Sequence, residues 1–212
     1  AKVDYGAGFI PHSVAAADLN GDGKLDLAIA NNVNVSVLLN QGNGTFAAKV
    51  DYDAGFSPQS VAAADLNGDG KPDLATANWF SSGKVSVLLN HGDGTFAANV
   101  DYDVGSYPIS VAAADLNGDG KPDLAIANGN SNSVSVLLNQ GSGTFAVKVD
   151  YGAGTFPYSV VAADLSGDGK PELAIANMNS THVSVLLNQG NGTFVAKVVY
   201  DSGNLKVIDD AP

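Results

Sequence analysis

The 212-residue chain contains no cysteine and no arginine, and its single glutamate is Glu172. Without cysteine there is no disulfide, no thiolate metal site and no thiol nucleophile. Without arginine there is no guanidinium fork for phosphate. The 22 acids outnumber ten cations, all lysine, and the net charge of −12 opposes binding to nucleic acid or an anionic membrane. The longest apolar runs, such as 14–17 and 160–163, have four residues. A helix needs roughly 20 to span a bilayer, so no membrane span is expected. What is present is small, apolar and turn-rich. Hydrophobic residues make up 45%, enough for a core, and 25 glycines stand among many Asn and Asp, the residues of tight turns.

The sequence repeats. DLNGDGK begins at Asp18, Asp65 and Asp115, and DLSGDGK at Asp164, at spacings of 47, 50 and 49 residues. Each unit reads VAAAD, LNGDGKxD, LAIAN, a loop, VSVLLN, xGxGTF and AKVDY, with small departures. All length variation falls in one loop (31–34, 78–84, 128–133, 177–182), so that loop is exposed and carries no core packing. Approximate units are 6–52, 53–102, 103–151 and 152–200, with 1–5 an extra copy of the last strand and 201–212 a tail.

Within a unit the segments read as strands. VSVLLN is β-branched and apolar on both faces. In 46–52 (FAAKVDY), Phe46, Ala48, Val50 and Tyr52 alternate with Ala47, Lys49 and Asp51, a half-buried period of two. Asn-Gly and Gly-x-Gly between them are hairpin turns. The unit is therefore a four-stranded antiparallel meander, with small-residue strand one (13–18) suited to a crowded centre and charged strand four to the outer edge. Four such sheets of about 49 residues predict an all-β fold, a β-propeller. Strand parity puts the acidic DLNGDGK loop and the GxGTF turn at one end. The variable loop lies at the other, beside GFIPHS, GFSPQS, GSYPIS and GTFPYS. Seventeen strand segments stand where four blades need sixteen. Three arrangements accommodate this: a four-bladed ring with one terminal strand displaced, a homodimer forming an eight-bladed ring, or part of a longer propeller. An open array would expose blade faces and edges, so closure or association is expected.

The acidic loops carry oxygen side chains at positions 1, 3, 5 and 9: Asp18, Asn20, Asp22 and Asp26; Asp65, Asn67, Asp69 and Asp73; Asp115, Asn117, Asp119 and Asp123. The fourth departs, with Asp164, Ser166, Asp168 and Glu172. A hard divalent cation takes six to eight oxygens, and calcium is expected, about four ions per chain. Glycine at position 6 permits the bend, and the backbone carbonyls of Lys24, Lys71, Lys121 and Lys170 at position 7 would complete the shell while the ammonium groups project outward. Serine is a weaker ligand and Glu172 adds a methylene, so the fourth loop is the weakest. Zinc would want His or Cys. An EF-hand would need an acid at position 12, where Ile29, Thr76, Ile126 and Ile175 stand. The plainer reading, that Asp-Gly and Asn-Gly are only turn formers, leaves three carboxylates crowded into nine residues four times over. The loops hold −8 of the −12 charge, which four calcium ions would cancel.

These repeats resemble the FG-GAP/VCBS family, on DxNxDGxxD between two short strands with GTF turns at this period. The resemblance covers nearly the whole chain. It implies a β-propeller like that of integrin α subunits, calcium in the loops, and an extracellular or cell-surface adhesion, lectin or recognition role. Family propellers usually have seven blades, and this chain has four units.

Recurrent Phe46, Phe96, Phe145 and Phe194, with Tyr5, Tyr52, Tyr102, Tyr151 and Tyr200, are expected to pack between blades. The aromatics shortly before proline in the four-to-one turn (Phe56, Tyr107, Phe156) read as core in the same way. Trp79 and Phe80 occur only in the second variable loop and mark the place for a ligand, where an indole would stack on a sugar or simply cover neighbouring loops. The three histidines fall at different unit positions and form no shared site. Catalysis needs a nucleophile with its base, or an acid–base pair with separated pKa values. The clustered aspartates are assigned to metal, so no enzyme is expected. The leading reading is a secreted calcium-binding module for a glycan or an extracellular protein. Its alternative is a structural scaffold or surface-assembly subunit with calcium only for stability.

Overall fold

The computed structural model describes residues 2–80 and 82–201, with side chains as far as Val195. Ala1, the tail from 202 and the Tyr200 side chain lie outside the described set. Every described element is a strand.

The strands form four antiparallel sheets in chain order. Blade 1 is β1 (Pro11–Ala17), β2 (Asp26–Asn31), β3 (Val35–Leu38) and β4 (Val50–Tyr52). Blade 2 is β5 (Pro58–Ala64), β6 (Asp73–Asn78), β7 (Lys84–Leu88) and β8 (Val100–Asp103). In blade 3, β9 (Pro108–Ala114), β10 (Asp123–Asn128) and β11 (Ser133–Leu137) are joined to β14 (Val149–Gly152) through a small hairpin, β12 (Asn139–Gly141) with β13 (Thr144–Phe145). Blade 4 is β15 (Pro157–Ala163), β16 (Glu172–Asn177), β17 (His182–Asn188) and β18 (Phe194–Asp201).

The small-residue strands β1, β5, β9 and β15 are innermost and pack one on the next. Alanine is what allows this, because larger side chains would hold the central backbones apart. The outer strands are shorter than their alternation predicts. In blade 1, Phe46 pairs back with Asn40, and only Val50–Tyr52 joins the sheet. Val50, Val100 and Val149 are consequently half-exposed, because no neighbouring blade covers the outer edge at that height.

Three inter-blade cores hold the array, between blades 1 and 2, 2 and 3, and 3 and 4. Each tyrosine at the end of an outer strand meets the next unit's phenylalanine edge to face: Tyr52 on Phe96 at 5.2 Å, Tyr102 on Phe145 at 5.3 Å and Tyr151 on Phe194 at 5.3 Å. Tyr5 repeats this on Phe46 at 5.4 Å. Among the described residues there is no fourth core joining blade 4 to blade 1. Val14 of blade 1 is 61% exposed where Val61, its counterpart in blade 2, is 6%. Leu165 of blade 4 is 57% exposed where Leu19, Leu66 and Leu116 are each 1%. The four blades form an open arc with two apolar ends.

Inside the sheets runs a polar relay absent from the sequence reading. In blade 2, Asn78 Nδ2 donates to Ser86 Oγ at 2.7 Å, and Ser86 Oγ donates to Asp101 at 2.6 Å. Blades 1 and 3 repeat it with Asn31, Ser36 and Asp51, and with Asn128, Ser135 and Asp150. Lys49 and Lys148 pair with the outer aspartates of those two blades. Ser86 is fully buried, so Ser86→Ala leaves a buried Asn78 N–H without its acceptor. It should cost about 1–3 kcal/mol, read in a urea denaturation; an unchanged midpoint would show the relay to be energetically idle.

Candidate functional site

Each acidic loop is wound round its own first aspartate. Asp18 Oδ1 accepts the amides of Gly21 (2.8 Å) and Asp22 (3.1 Å), and Oδ2 accepts that of Gly23 (2.8 Å). This winding needs left-handed backbone at Gly21 (φ 76°) and Gly23 (φ 80°), which side chains with a Cβ resist by roughly 1–2 kcal/mol each. Asn20 and Asp22 add short turns by accepting the amides two residues on, at 3.1 and 2.9 Å. Asp65, Asp115 and Asp164 wind their loops in the same way. The sharp turn read from the glycines is present in all four.

The ninth position does something else. Asp26, Asp73 and Asp123 are completely buried. Asp73 Oδ2 accepts the Leu66 amide at 2.9 Å, and Oδ1 accepts the Asn90 amide at 2.7 Å. Asp26 does this for Leu19 and Asn40, and Asp123 for Leu116 and Asn139. This carboxylate ties the acidic loop to the start of the GxGTF turn across the blade. Burial pushes the Asp73 and Asp123 carboxyls above the usual range, and the carboxylates at positions 5 and 1 of the same loops add to it. Glu172, one methylene longer, turns instead onto its own loop. Its Oε2 accepts from the amides of Leu165 and Ser166 at 2.7 and 3.1 Å, and the Ser166 hydroxyl donates to Oε1 at 3.4 Å.

The lysines at position 7 do not project outward. Lys24 pairs with Asp22 and Lys121 with Asp119, both at 2.7 Å, and Lys170 with Asp168 at 3.1 Å. Lys71 donates to the His91 carbonyl at 2.9 Å and stands 3.7 Å from Asp69. The reason is steric as well as electrostatic. The lysine stem lies across the bare backbone of the next turn, where a Cβ on Gly42 would meet Lys24 Cε at 2.5 Å. The Lys24 ammonium bond is the foremost cause holding the Asp22 carboxyl below its usual range, and Lys121 does the same for Asp119.

Among the described residues no three carboxylates or imidazoles stand close enough together to hold a metal as they are. The loops hold their charges on amides and lysines. A carboxylate nevertheless offers about four acceptor sites, and each of these uses only two or three. The donor set is all oxygen and suits calcium rather than zinc. The buried Asp73, crowded by Asp65 and Asp69, is the kind of group a divalent cation relieves.

The opposite end carries a groove of about 200 Å³, lined by Gln59, Trp79, Ile109, Phe156, Tyr158 and Met178 from three blades. Trp79 is 43% exposed and leans edge-on against Tyr107 at 5.9 Å. Phe80 lies outside the groove, against Phe56 at 5.1 Å. Phe56 is itself exposed, contrary to its core reading. Phe156 enters the groove because the residue before each proline takes a left-handed backbone: Ile10, Ser57, Tyr107 and Phe156 have φ between 52° and 57°. The sequence reading found Trp79 and missed Gln59, Ile109, Tyr158 and Met178 as neighbours. A signal was there. The residue after each proline is His12, Gln59, Ile109 and Tyr158, a varied position inside an otherwise uniform repeat.

Residues 18–76, 76–126 and 115–175 match the FG-GAP-like repeat, and 156–195 match the FG-GAP repeat. No curated protein matches the chain. Among solved structures it is similar to an Agrocybe aegerita lectin that recognises non-reducing terminal N-acetylglucosamine, at 26% identity and a TM-score of 0.59, over 87% of this chain and 50% of the lectin. It is also similar to BBS1N, solved in complex with ARL6DN, at 14% identity and a TM-score of 0.63, over 89% of this chain and 57% of that one. The chain spans about half the length of these structures. Repeat period, blade topology and matches running from residue 18 to 195 agree, and the chain belongs to the FG-GAP repeat family.

Proposed function

We propose that the chain is an extracellular, calcium-stabilised recognition module that seats a glycan in the groove at the variable-loop end. The observation that carries this reading is the groove itself. Trp79 from the blade 2 loop and Phe156 and Tyr158, which flank Pro157 at the start of β15, reach one apolar hollow, with Gln59 at its wall. Indole and phenol faces bury the apolar side of a sugar ring, and an amide fixes a hydroxyl. The lectin likeness supports a glycan over other ligands. In this reading calcium is bound by the acidic loops at the opposite end. Asp18, Asn20, Asp22 and Asp26, with their counterparts in the other blades, would hold it, and the ion would supply stability rather than chemistry.

A glycan-array screen with calcium present tests the proposal. A positive glycan should then bind about tenfold more weakly to Trp79→Ala and to Tyr158→Ala, on the order of 1.4 kcal/mol each. Both side chains are half-exposed, so the melting temperature should hold. Silence across glycans and matrix proteins would overturn it in favour of the scaffold or surface-assembly reading. That second reading has an observation of its own, the two bare apolar ends of the arc.

A further inference from the structure

The three joints between blades are made by the same contacts, so each half of a joint can be recognised where it stands alone. At every joint the carbonyl of the leucine after the first loop aspartate accepts from an asparagine of the next blade. Leu19, Leu66 and Leu116 accept from Nδ2 of Asn90, Asn139 and Asn188, each at 2.9 Å. The same carbonyls accept the amides of Gly94, Gly143 and Gly192 at 2.9, 3.2 and 3.1 Å. Leu39, Leu89 and Leu138 close over those three glycines. Ser13, Ser60 and Ser110 Oγ accept the amides of Val61, Val111 and Val160 at 3.4, 3.3 and 3.2 Å.

Blade 1 carries the receiving half of this joint with its inner positions unmatched among the described residues. Asn90, Asn139 and Asn188 each bond a carbonyl of the preceding blade and one of their own, whereas Asn40 Nδ2, among the described residues, bonds only its own blade, at Leu25 O. Among the described residues, nothing lies within 4 Å of the place where a Cβ on Gly44 would sit. Blade 4 carries the giving half, with Leu165 and Leu187 57% and 38% exposed.

We propose that a second copy of this chain completes both ends, blade 4 of each copy docking on blade 1 of the other to close a two-chain ring. The three observed joints specify the occupant. What blade 1 lacks is the Leu165 carbonyl for Asn40, the Leu187 side chain for Gly44 and the Ser159 hydroxyl for the Val14 amide. A second copy presents all three on one face. The joint is heterologous, so it forms a ring only if its rotation closes.

One segment stands in the way. Tyr5 packs on Phe46 as the outer-strand tyrosine of a preceding blade would, yet its buried hydroxyl has no partner among the described residues. Tyr52 and Tyr102 in the same position donate to Gly94 and Gly143 carbonyls at 3.1 Å. Residues 2–5 thus occupy the outer-strand place on blade 1 and fit it incompletely, and docking displaces them.

The test is the solution mass by light scattering and sedimentation against a monomer of 21.4 kDa. The expected result is a species of twice that mass, strengthened by deletion of residues 1–5. Val14→Asp and Leu165→Asp should each be monomeric with an unchanged thermal melt in the monomer, since both side chains already face solvent. Mixed together, the two variants should form a two-copy particle held by one intact joint, because each retains the face that the other lacks. A monomeric wild-type chain at about 100 μM (ΔG° near −5.5 kcal/mol) overturns the proposal and assigns the faces to other blades. An indefinite ladder of masses overturns the closed ring, and so does association that survives both substitutions.

Discussion

Asp73→Ala should lower the melting temperature by roughly 4–15 °C in EDTA and by more in calcium, since it removes a tie and a ligand together, whereas Asp69→Ala should abolish one blade's calcium-dependent gain and leave the EDTA melt unchanged. Asp73 is buried, and its two oxygens satisfy the Leu66 and Asn90 amides. Truncation orphans two donors at about 1–3 kcal/mol each, partly offset by the loss of a buried charge, for a net of about 2–4 kcal/mol. In a chain of this size each kcal/mol moves the midpoint by about 2–4 °C. Asp69 lies on the loop surface and, among the described residues, accepts only from Lys71. The pair separates a residue that is both strut and ligand from one that is a ligand alone. An EDTA melt of Asp73→Ala identical to wild type would sink the strut.

Removing calcium should produce the other large effect. An ion that binds only the folded state adds about 2.7 kcal/mol when its free concentration is a hundred times its Kd, and such increments sum over independent sites. Chelation should therefore depress the melt by far more than any single loop substitution. The sites should not empty together. In the first three loops the ninth carboxylate is fixed across the blade, while Glu172 turns onto Leu165 and Ser166, and the Ser166 hydroxyl is engaged with it. Titration by calorimetry should resolve three tighter sites and one weaker, with Asp164, Ser166, Asp168 and Glu172 losing calcium first. An EDTA melt equal to the calcium melt, with no calcium found by elemental analysis, would falsify the metal reading.

The blades were legible because their signal is local and repeated. Alternation, Gly-x-Gly turns and alanine-rich first strands recur four times, so chance patterns at any one copy are outvoted. The inter-blade Tyr–Phe pairs were legible for the same reason, since equivalent residues in equivalent units meet equivalent neighbours. The groove was half legible. Trp79 stands out by being unrepeated, but its partners come from other blades, and no local pattern says that Tyr158 and Met178 arrive beside it. The left-handed backbone before each proline was not legible at all, because Tyr107 and Phe156 are residues that normally avoid it. The acidic loops were legible in residue type, while the hydrogen bonds each carboxylate makes were not. Spacing treats positions 1, 5 and 9 as equal ligands, and burial makes the ninth a structural tie and leaves the fifth to a lysine.

By itself the sequence determined the strands, the blade and the end of each blade at which the acidic loops lie, because these follow from side-chain period, glycine placement and strand parity. Only the tertiary structure decided that the lysines fold back, that three blades share one groove and that the arc ends in two unmatched faces. The lysine stems lie across turns about 20 positions on, and the groove joins residues as far apart as Gln59 and Met178, contacts that no local pattern contains. The absence of cysteine and arginine excluded whole classes of chemistry at the outset. Which of the aspartates the blades bury, and which stay on the loop surface, only the fold decided.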